Sequence, residues 1–457
     1  MMGAGLHPRL PFKFRKRGRW MRKWMIILLV AAVVSTVFLP GLSRGDDRTD
    51  RVTYRKDYRD PVLKRMKEEM DSLAAVRDSI TAEINKRYRE KEKKEREERE
   101  EIRLDFKEIR KPESPESFSP PFHFKPVPQY YTGTCWCFCT TSFMESEIAR
   151  LTGTEIKLSE MYTVYWEYVE KARGYIRKRG NQPFAQGGES DGVFIIWDKY
   201  GVVPLEEYPG LTGSNDKHNH KMLRNEMFGY LECVRENGTW DEEHNLAQIR
   251  LILDRYLGRP PAEFEFEGRK ITPKEFVDKV LKVDTDDYVQ VMSTLSEPFY
   301  VQAEFDVPDN WRPTDTYYNL PLDEFYGHIR KAVSEGYTVC IGGDVSEPGY
   351  NGFEDGAVIP DYDIPRDYIS QDSREMRIYN HTTTDDHGIH LLAHREVDGD
   401  DWFLIKDSSR SSRHGEFHGY LFYREDYVKL KMLTYTVHRD VLEDLEPKFR
   451  KAAREME

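Results

Sequence analysis

The sequence predicts an α+β domain, a helical half followed by a β-rich half, with a charged helical stalk in front. Three segments carry that prediction. An apolar helix opens at Cys135 and stops near Gly153; far downstream, two strand-like runs flank Val397-Asp398-Gly399-Asp400; and a three-four spacing of apolar residues lies in a charged stretch from about Arg59 to Arg110. The 27 tyrosines, 23 phenylalanines and 8 tryptophans in 457 residues supply bulk for a large core.

Taken in chain order, the first element is a membrane-directed segment over residues 1–45. Arg9, Lys13, Arg15, Lys16, Arg17, Arg19, Arg22 and Lys23 occur with no acid, and Met25 to Leu39 then runs apolar apart from Ser35 and Thr36. A basic flank before a hydrophobic run keeps the N-terminus in the cytoplasm and sends the downstream chain across the membrane. The run suits either a signal peptide or a signal anchor, so the rest of the chain is expected to be extracytoplasmic, periplasmic or secreted. Residues 46–110 read as the stalk. Leu63, Met66, Met70, Leu73, Ile80 and Ile84 give a short coiled-coil seam that could pair two copies of the chain, and Arg87 to Glu101 then becomes mixed charge held helical by i,i+4 pairs. Lys111 to Pro121 is a Pro/Ser linker, and residues 122–457 form the main domain.

Within that domain Gln129 stands six residues before Cys135-Trp136. A nucleophilic thiolate belongs at a helix N-terminus, and a side-chain amide aimed at the same point holds an oxyanion. Gly133 is expected to permit a tight turn just before Cys135. Phe138, Ser142, Phe143, Ile148 and Leu151 form the apolar face of the helix. Downstream, Asp386-His387-Gly388-Ile389-His390-Leu391-Leu392 leads through the turn to Trp402-Phe403-Leu404-Ile405 and Lys406-Asp407. An antiparallel pair of this kind sets His387 beside Asp407, a base and the group that orients it. His390, three residues along an alternating strand, faces the other way.

Charge and cysteine usage narrow the field. The net charge is −12, yet residues 1–44 contribute +9, leaving an acidic body with no basic stripe; nucleic acid is not an expected partner. No CxxC pair and no His-Glu-x-x-His occurs, so neither a metal nor another cofactor is expected. Of the five cysteines, Cys137, Cys139, Cys233 and Cys340 remain once Cys135 is taken as the nucleophile, and spacing does not assign a pairing.

From roughly Pro120 to Leu445 the sequence resembles the papain-like cysteine peptidases, and among them the bleomycin hydrolase (aminopeptidase C) group. Besides the segments above, the resemblance rests on Leu158-Ser159-Glu160 opening an aromatic-rich helix to Lys178, Gly187-Gly188-Glu-Ser-Asp191, Trp197-Asp-Lys-Tyr200-Gly201-Val-Val-Pro204, Gly336 to Val345, and Gly415 to Tyr420, all in the family's order. It implies a two-lobed papain-like fold, hydrolysis of peptide bonds, a peptide or protein substrate, Cys135 as nucleophile, His387 as general base and acid, and Gln129 with the Cys135 amide as oxyanion hole. Asp407 stands where the family has asparagine, and Ser409 where it has an aromatic shield. Gly187 and Gly188 would line the substrate cleft. Those two departures motivate an alternative, a catalytically silent papain-like module that binds peptides or assembles on its stalk. In the bleomycin hydrolase group a C-terminal arm enters the cleft and enforces aminopeptidase action; here Glu443 to Glu457 is a charged run, which suits an open cleft and either cleavage of internal bonds or removal of amino-terminal segments longer than one residue, leaving aminopeptidase and endopeptidase action both open.

Overall fold

The computed structural model describes residues 53–456; the expected membrane-directed segment, residues 1–45, lies outside the described residues. The chain divides into two units, residues 1–99 and 100–457.

The first unit contains α1 (Pro61–Glu97). Asp60 caps it, its carboxylate accepting from the Val62 and Leu63 amides at 2.7 and 3.4 Å, and Pro61 fills the first turn, where its missing N–H costs nothing. The pairs Arg87–Glu83, Lys91–Glu95, Lys93–Glu97 and Lys94–Glu98 support the charged half. Leu63, Met66, Met70, Leu73, Ile80 and Ile84 are all exposed, so the seam is unfilled among the described residues.

The stalk gives way to packed chain earlier than composition suggests. Residues 100–110, read as stalk, belong to the second unit. The Leu104 amide donates to Pro348 O at 3.0 Å, and Phe106 is buried in a cluster with Phe118, Trp402 and Phe422. Gly356 admits the Phe106 ring, because a Cβ there would lie 2.5 Å from it. The Pro/Ser segment 111–121 is likewise packed, through Phe118 stacked on Phe422. Two phenylalanines among charged residues were enough to dock a segment whose average composition looks solvated.

The helical half comprises α2 (Cys135–Thr152), α3 (Glu160–Arg177), α4 (Asp191–Tyr200), α5 (Lys221–Asn237) and α6 (Glu242–Leu257). The α2 helix ends at Gly153, whose φ of 70° is the left-handed conformation glycine adopts without penalty. Its first fourteen residues are almost wholly buried, whereas Leu151 falls outside the apolar face and is exposed. Ser159 caps α3 by accepting from the Tyr162 amide at 3.1 Å. Aromatic side chains dominate this half's core, among them Phe143, Tyr165, Trp197 and Phe276.

Beyond a small hairpin, β1 (Phe264–Phe266) with β2 (Arg269–Ile271), the second half is built on one sheet. Its strands are β3 (Tyr288–Met292), β4 (Gln302–Ala303), β5 (Tyr317–Asn319), β6 (Val339–Gly343), β7 (Tyr350–Asn351), β8 (Gly356–Ala357), β9 (His387–Val397), β10 (Asp400–Lys406), β11 (Tyr420–Arg424) and β12 (Met432–His438). They lie in the order β4-β5-β3-β12-β6-β9-β10-β11-β8-β7. The β9–β10 turn is the expected one: Asp398 and Gly399 have φ of 54° and 90°, and Val397 pairs with Asp400. A bulge between Leu404 and Ile405 resets the register so that Lys406 lies opposite His390. The α2 helix packs on β9 and β6, and this contact joins the two halves at the site.

Candidate active site

The site forms where the N-terminus of α2 meets the start of β9. Cys135 is the first residue of α2 and is half-buried, while His387 is the first residue of β9 and is 7% exposed. Both line one pocket with Gly188, and the helix N-terminus places its unpaired amides and positive dipole end at the sulfur.

The end of β10 delivers Asp407 to the other side of the ring. His387 Nε2 lies 2.8 Å from Asp407 Oδ1, leaving Nδ1 for Cys135. Burial disfavours the charged ring, but the Asp407 carboxylate, then Cys135, outweigh it and raise the His387 pKa well above the ordinary imidazole value.

Ser409 does not shield Asp407 as an aromatic ring would; it holds it. The Ser409 amide donates to Asp407 Oδ1 at 2.6 Å and its hydroxyl to Oδ2 at 3.1 Å. The Asp407 amide donates to Gly419 O at 2.8 Å, and the residue is only 2% exposed. Tyr350 donates or accepts at Ser411 Oγ, 3.1 Å away, and Ser411 in turn meets Ser409, so a hydroxyl chain leads from Tyr350 to Asp407.

Gln129 is fixed by Ser408, the residue that follows Asp407. Ser408 Oγ donates to Gln129 Oε1 at 2.7 Å, and Gln129 Nε2 donates to Thr132 O at 2.8 Å, so the amide nitrogen has one hydrogen left to offer. The Gln129 backbone N–H donates to Ser408 O at 2.9 Å. The signal for Ser408 and Ser409 was their place immediately after Asp407, where short hydroxyls reach back to neighbouring groups.

Gly133 plays a different part from the one expected. Its φ is not positive, and Tyr130, at 54°, makes the sharp turn ahead of it. Gly133 is needed for close approach: a Cβ would come within 3.0 Å of Gln186 Cβ, and the Gly133 amide donates to Gln186 Oε1 at 3.1 Å. Trp136 Nε1 donates to Gln186 O at 3.1 Å, tying the start of α2 to the glycine pair. Gly188 faces the Trp136 ring, whereas the Asp309 carboxylate fills the space over Gly187. Asp386 is engaged elsewhere, accepting from the Val345 amide at 3.0 Å.

The other cysteines have other surroundings. Burial raises the Cys137 and Cys139 thiols well above their ordinary pKa, Cys139 Sγ lies 2.8 Å from Cys340 Sγ, and Cys233 is exposed on α5. Among the described residues no group of three or more His, Cys, Asp or Glu is arranged to hold a metal ion.

Residues 107–453 match the model of the Peptidase C1-like family. The chain belongs to that family. Curated relatives of this Peptidase C1-like chain include aminopeptidase C of Streptococcus thermophilus, 25% identical over 260 residues, and aminopeptidase C of Lactobacillus delbrueckii subsp. lactis, 28% identical over 265 residues. Each alignment covers 48% of this chain and 58% of the relative, so the chain spans little more than half the length of the curated relatives it matches. Among solved structures, PepW from Lactobacillus rhamnosis superposes with a TM-score of 0.58 at 20% identity, covering 73% of this chain and 86% of that one; at this identity the likeness shows the two-lobed α+β fold.

Proposed function

We propose that this Peptidase C1-like chain is a cysteine-type peptidase that hydrolyses peptide bonds with Cys135 as nucleophile, His387 as general base and acid, Asp407 as orienting group and Gln129 as oxyanion donor. The observation that carries the reading is the 2.8 Å contact of His387 Nε2 with Asp407 Oδ1, made while the same ring shares a pocket with a cysteine at a helix N-terminus. The Cys135 sulfur attacks the substrate carbonyl carbon, and the carbonyl electron pair moves to oxygen, where Gln129 Nε2–H and the Cys135 amide receive it. His387 passes its proton to the departing amine as the C–N bond breaks, leaving a thioester. The neutral ring then takes a proton from water, whose oxygen attacks the thioester carbon; the C–S bond breaks, the acid leaves and the Cys135 thiolate returns beside the protonated ring. Ser408 supports this chemistry by holding the Gln129 oxygen, so that its nitrogen faces the developing charge.

The basic-then-apolar N-terminus supports an extracytoplasmic domain held at, or released from, a membrane, and the exposed seam of α1 supports pairing of two copies. Labelling with an iodoacetamide or epoxide probe at neutral pH tests the central claim. Selective modification of Cys135 over the other four cysteines, with loss of peptide hydrolysis, is expected; uniform or absent labelling of Cys135 overturns the reading in favour of a silent peptide-binding module.

A further inference from the structure

The pocket that holds Cys135 and His387 also gathers carboxylates that the chemistry above does not use. Glu189, Asp309 and Asp385 line it together with Gly188 and Gly342. Glu189 is 9% exposed, and its Oε1 has no hydrogen-bond partner although it is buried. A buried unpartnered carboxylate oxygen is costly, and a charged donor is what would satisfy it. A Cβ on Gly342 would come within 2.8 Å of Thr434 Oγ1 and 3.4 Å of Asp385 Oδ1, while one on Gly188 would make ordinary contact with the Trp136 ring.

Every nearby cation has another task. Arg312 pairs with Glu167 and stacks on Trp311, while Trp311 Nε1 donates to Glu167 Oε1 at 2.6 Å; this clasp pins the loop that carries Asp309 onto α3. Lys171 Nζ, buried under Trp311, donates to Ala185 O at 3.0 Å and to Gly187 O. His387 is bonded to Asp407. Among the described residues Glu189, Asp309 and Asp385 therefore form no ion pair. Glu189 and Asp385 hydrogen-bond to each other across a shared proton: burial, then the neighbouring Asp309 and Asp386, push Asp385 up to about 7, and burial, then Asp385, raise Glu189 well above the carboxylate range. The group is not arranged as a metal site.

We infer that this acidic pocket is a specificity subsite in which Glu189, Asp309 and Asp385 receive an ammonium or guanidinium group of the substrate. The inference rests on the peptidase reading for the word substrate. A primary ammonium has three donors and a guanidinium five, matching several convergent carboxylate oxygens, and either would take the place of the retained proton. Such a cation comes from a free peptide amino terminus or from a lysine or arginine side chain.

Calorimetric titration of the full chain carrying Cys135→Ala separates these sources without turnover. Three probes suffice: N-acetyl-lysine methylamide, norleucine methylamide with a free amine, and neutral N-acetyl-norleucine methylamide. At least one cationic probe is expected to bind about tenfold tighter than the neutral one, and which one identifies the source. Glu189→Gln and Asp385→Asn, both isosteric, should each bring that ratio towards one. Equal binding of all three probes, no binding of any, or a charge preference that survives both substitutions overturns the subsite. The peptidase reading fails separately: no hydrolysis of any peptide by the unmodified chain, with cation preference retained in the titration, removes the reaction and leaves the subsite, whereas hydrolysis indifferent to charge does the reverse.

Discussion

Two histidines three residues apart on β9 have opposite chemistry. His387, at the strand start, meets a carboxylate and a cysteine, and its pKa is raised well above normal. His390 points to the other side, under α2, where Nδ1 lies 2.8 Å from Ser142 Oγ, itself bonded at 2.7 Å by Lys406 Nζ. There burial, then the Lys406 charge, push its pKa well below normal, and its Nε2 is without a partner. The same residue type on one strand has its pKa pushed up or pushed down according to which side chain its face meets.

The sharpest way to break this comparison is to remove each ring in turn. His387→Ala should lower kcat for peptide hydrolysis by roughly 10⁴-fold, with Asp407→Ala losing less, because the orienting group is the least critical member of such a unit. His390→Ala should leave turnover within a few-fold and instead lower stability by about 1–3 kcal/mol, since Ser142 and Lys406 lose a buried neighbour. Steady-state kinetics beside urea unfolding reads both, and a collapse of activity in His390→Ala with the fold retained would reverse the assignment.

The next effect is on pH. Asp407 raises the His387 pKa, so the alkaline limb of kcat/KM should lie well above the ordinary imidazole value of about 6.5, and Asp407→Asn should move it to lower pH. An unmoved limb would mean that Asp407 is not the charge His387 feels. In stability the two rings oppose each other. The His387 contribution is complete below about pH 6.5 and is lost as pH rises through its raised folded pKa. His390, with a depressed folded pKa, is neutral in the fold; its contribution is complete above about pH 6.5 and is lost as pH falls. Unfolding of His390→Gln should therefore show a flatter acid side than the unmodified chain, while His387→Gln flattens the alkaline side.

Smaller still is the effect of Ser408→Ala, which frees the Gln129 oxygen and should cost about tenfold in kcat with KM little changed. The smallest concerns the C-terminal helix α7 (Glu446–Met456). It packs Phe449 on Tyr318 with ring centres 4.4 Å apart and Lys448 on Glu324 at 2.6 Å, and it does not line the pocket of Cys135. Deleting residues 448–457 should leave the mode of cleavage unchanged, read by mass spectrometry on an N-acetylated peptide; a switch of mode would show the tail acting as an arm.

Local signals in the sequence determined the α2 helix with its Gly153 stop, the Asp398-Gly399 turn, the pairing of His387 with Asp407 across that hairpin, and the separation of His390 onto the other face. Each depends on periodicity or on glycine's access to positive φ, both properties of a few adjacent residues. Tertiary structure alone decided the rest. Gly133 proved to serve Gln186, and Phe106 drew residues 100–110 out of the stalk. The carboxylates of Glu189, Asp309 and Asp385 converge from three distant stretches of chain. Burial and long-range proximity are set by how elements pack, and no window of sequence contains the partner that fixes a residue's charge, its rotamer or its role.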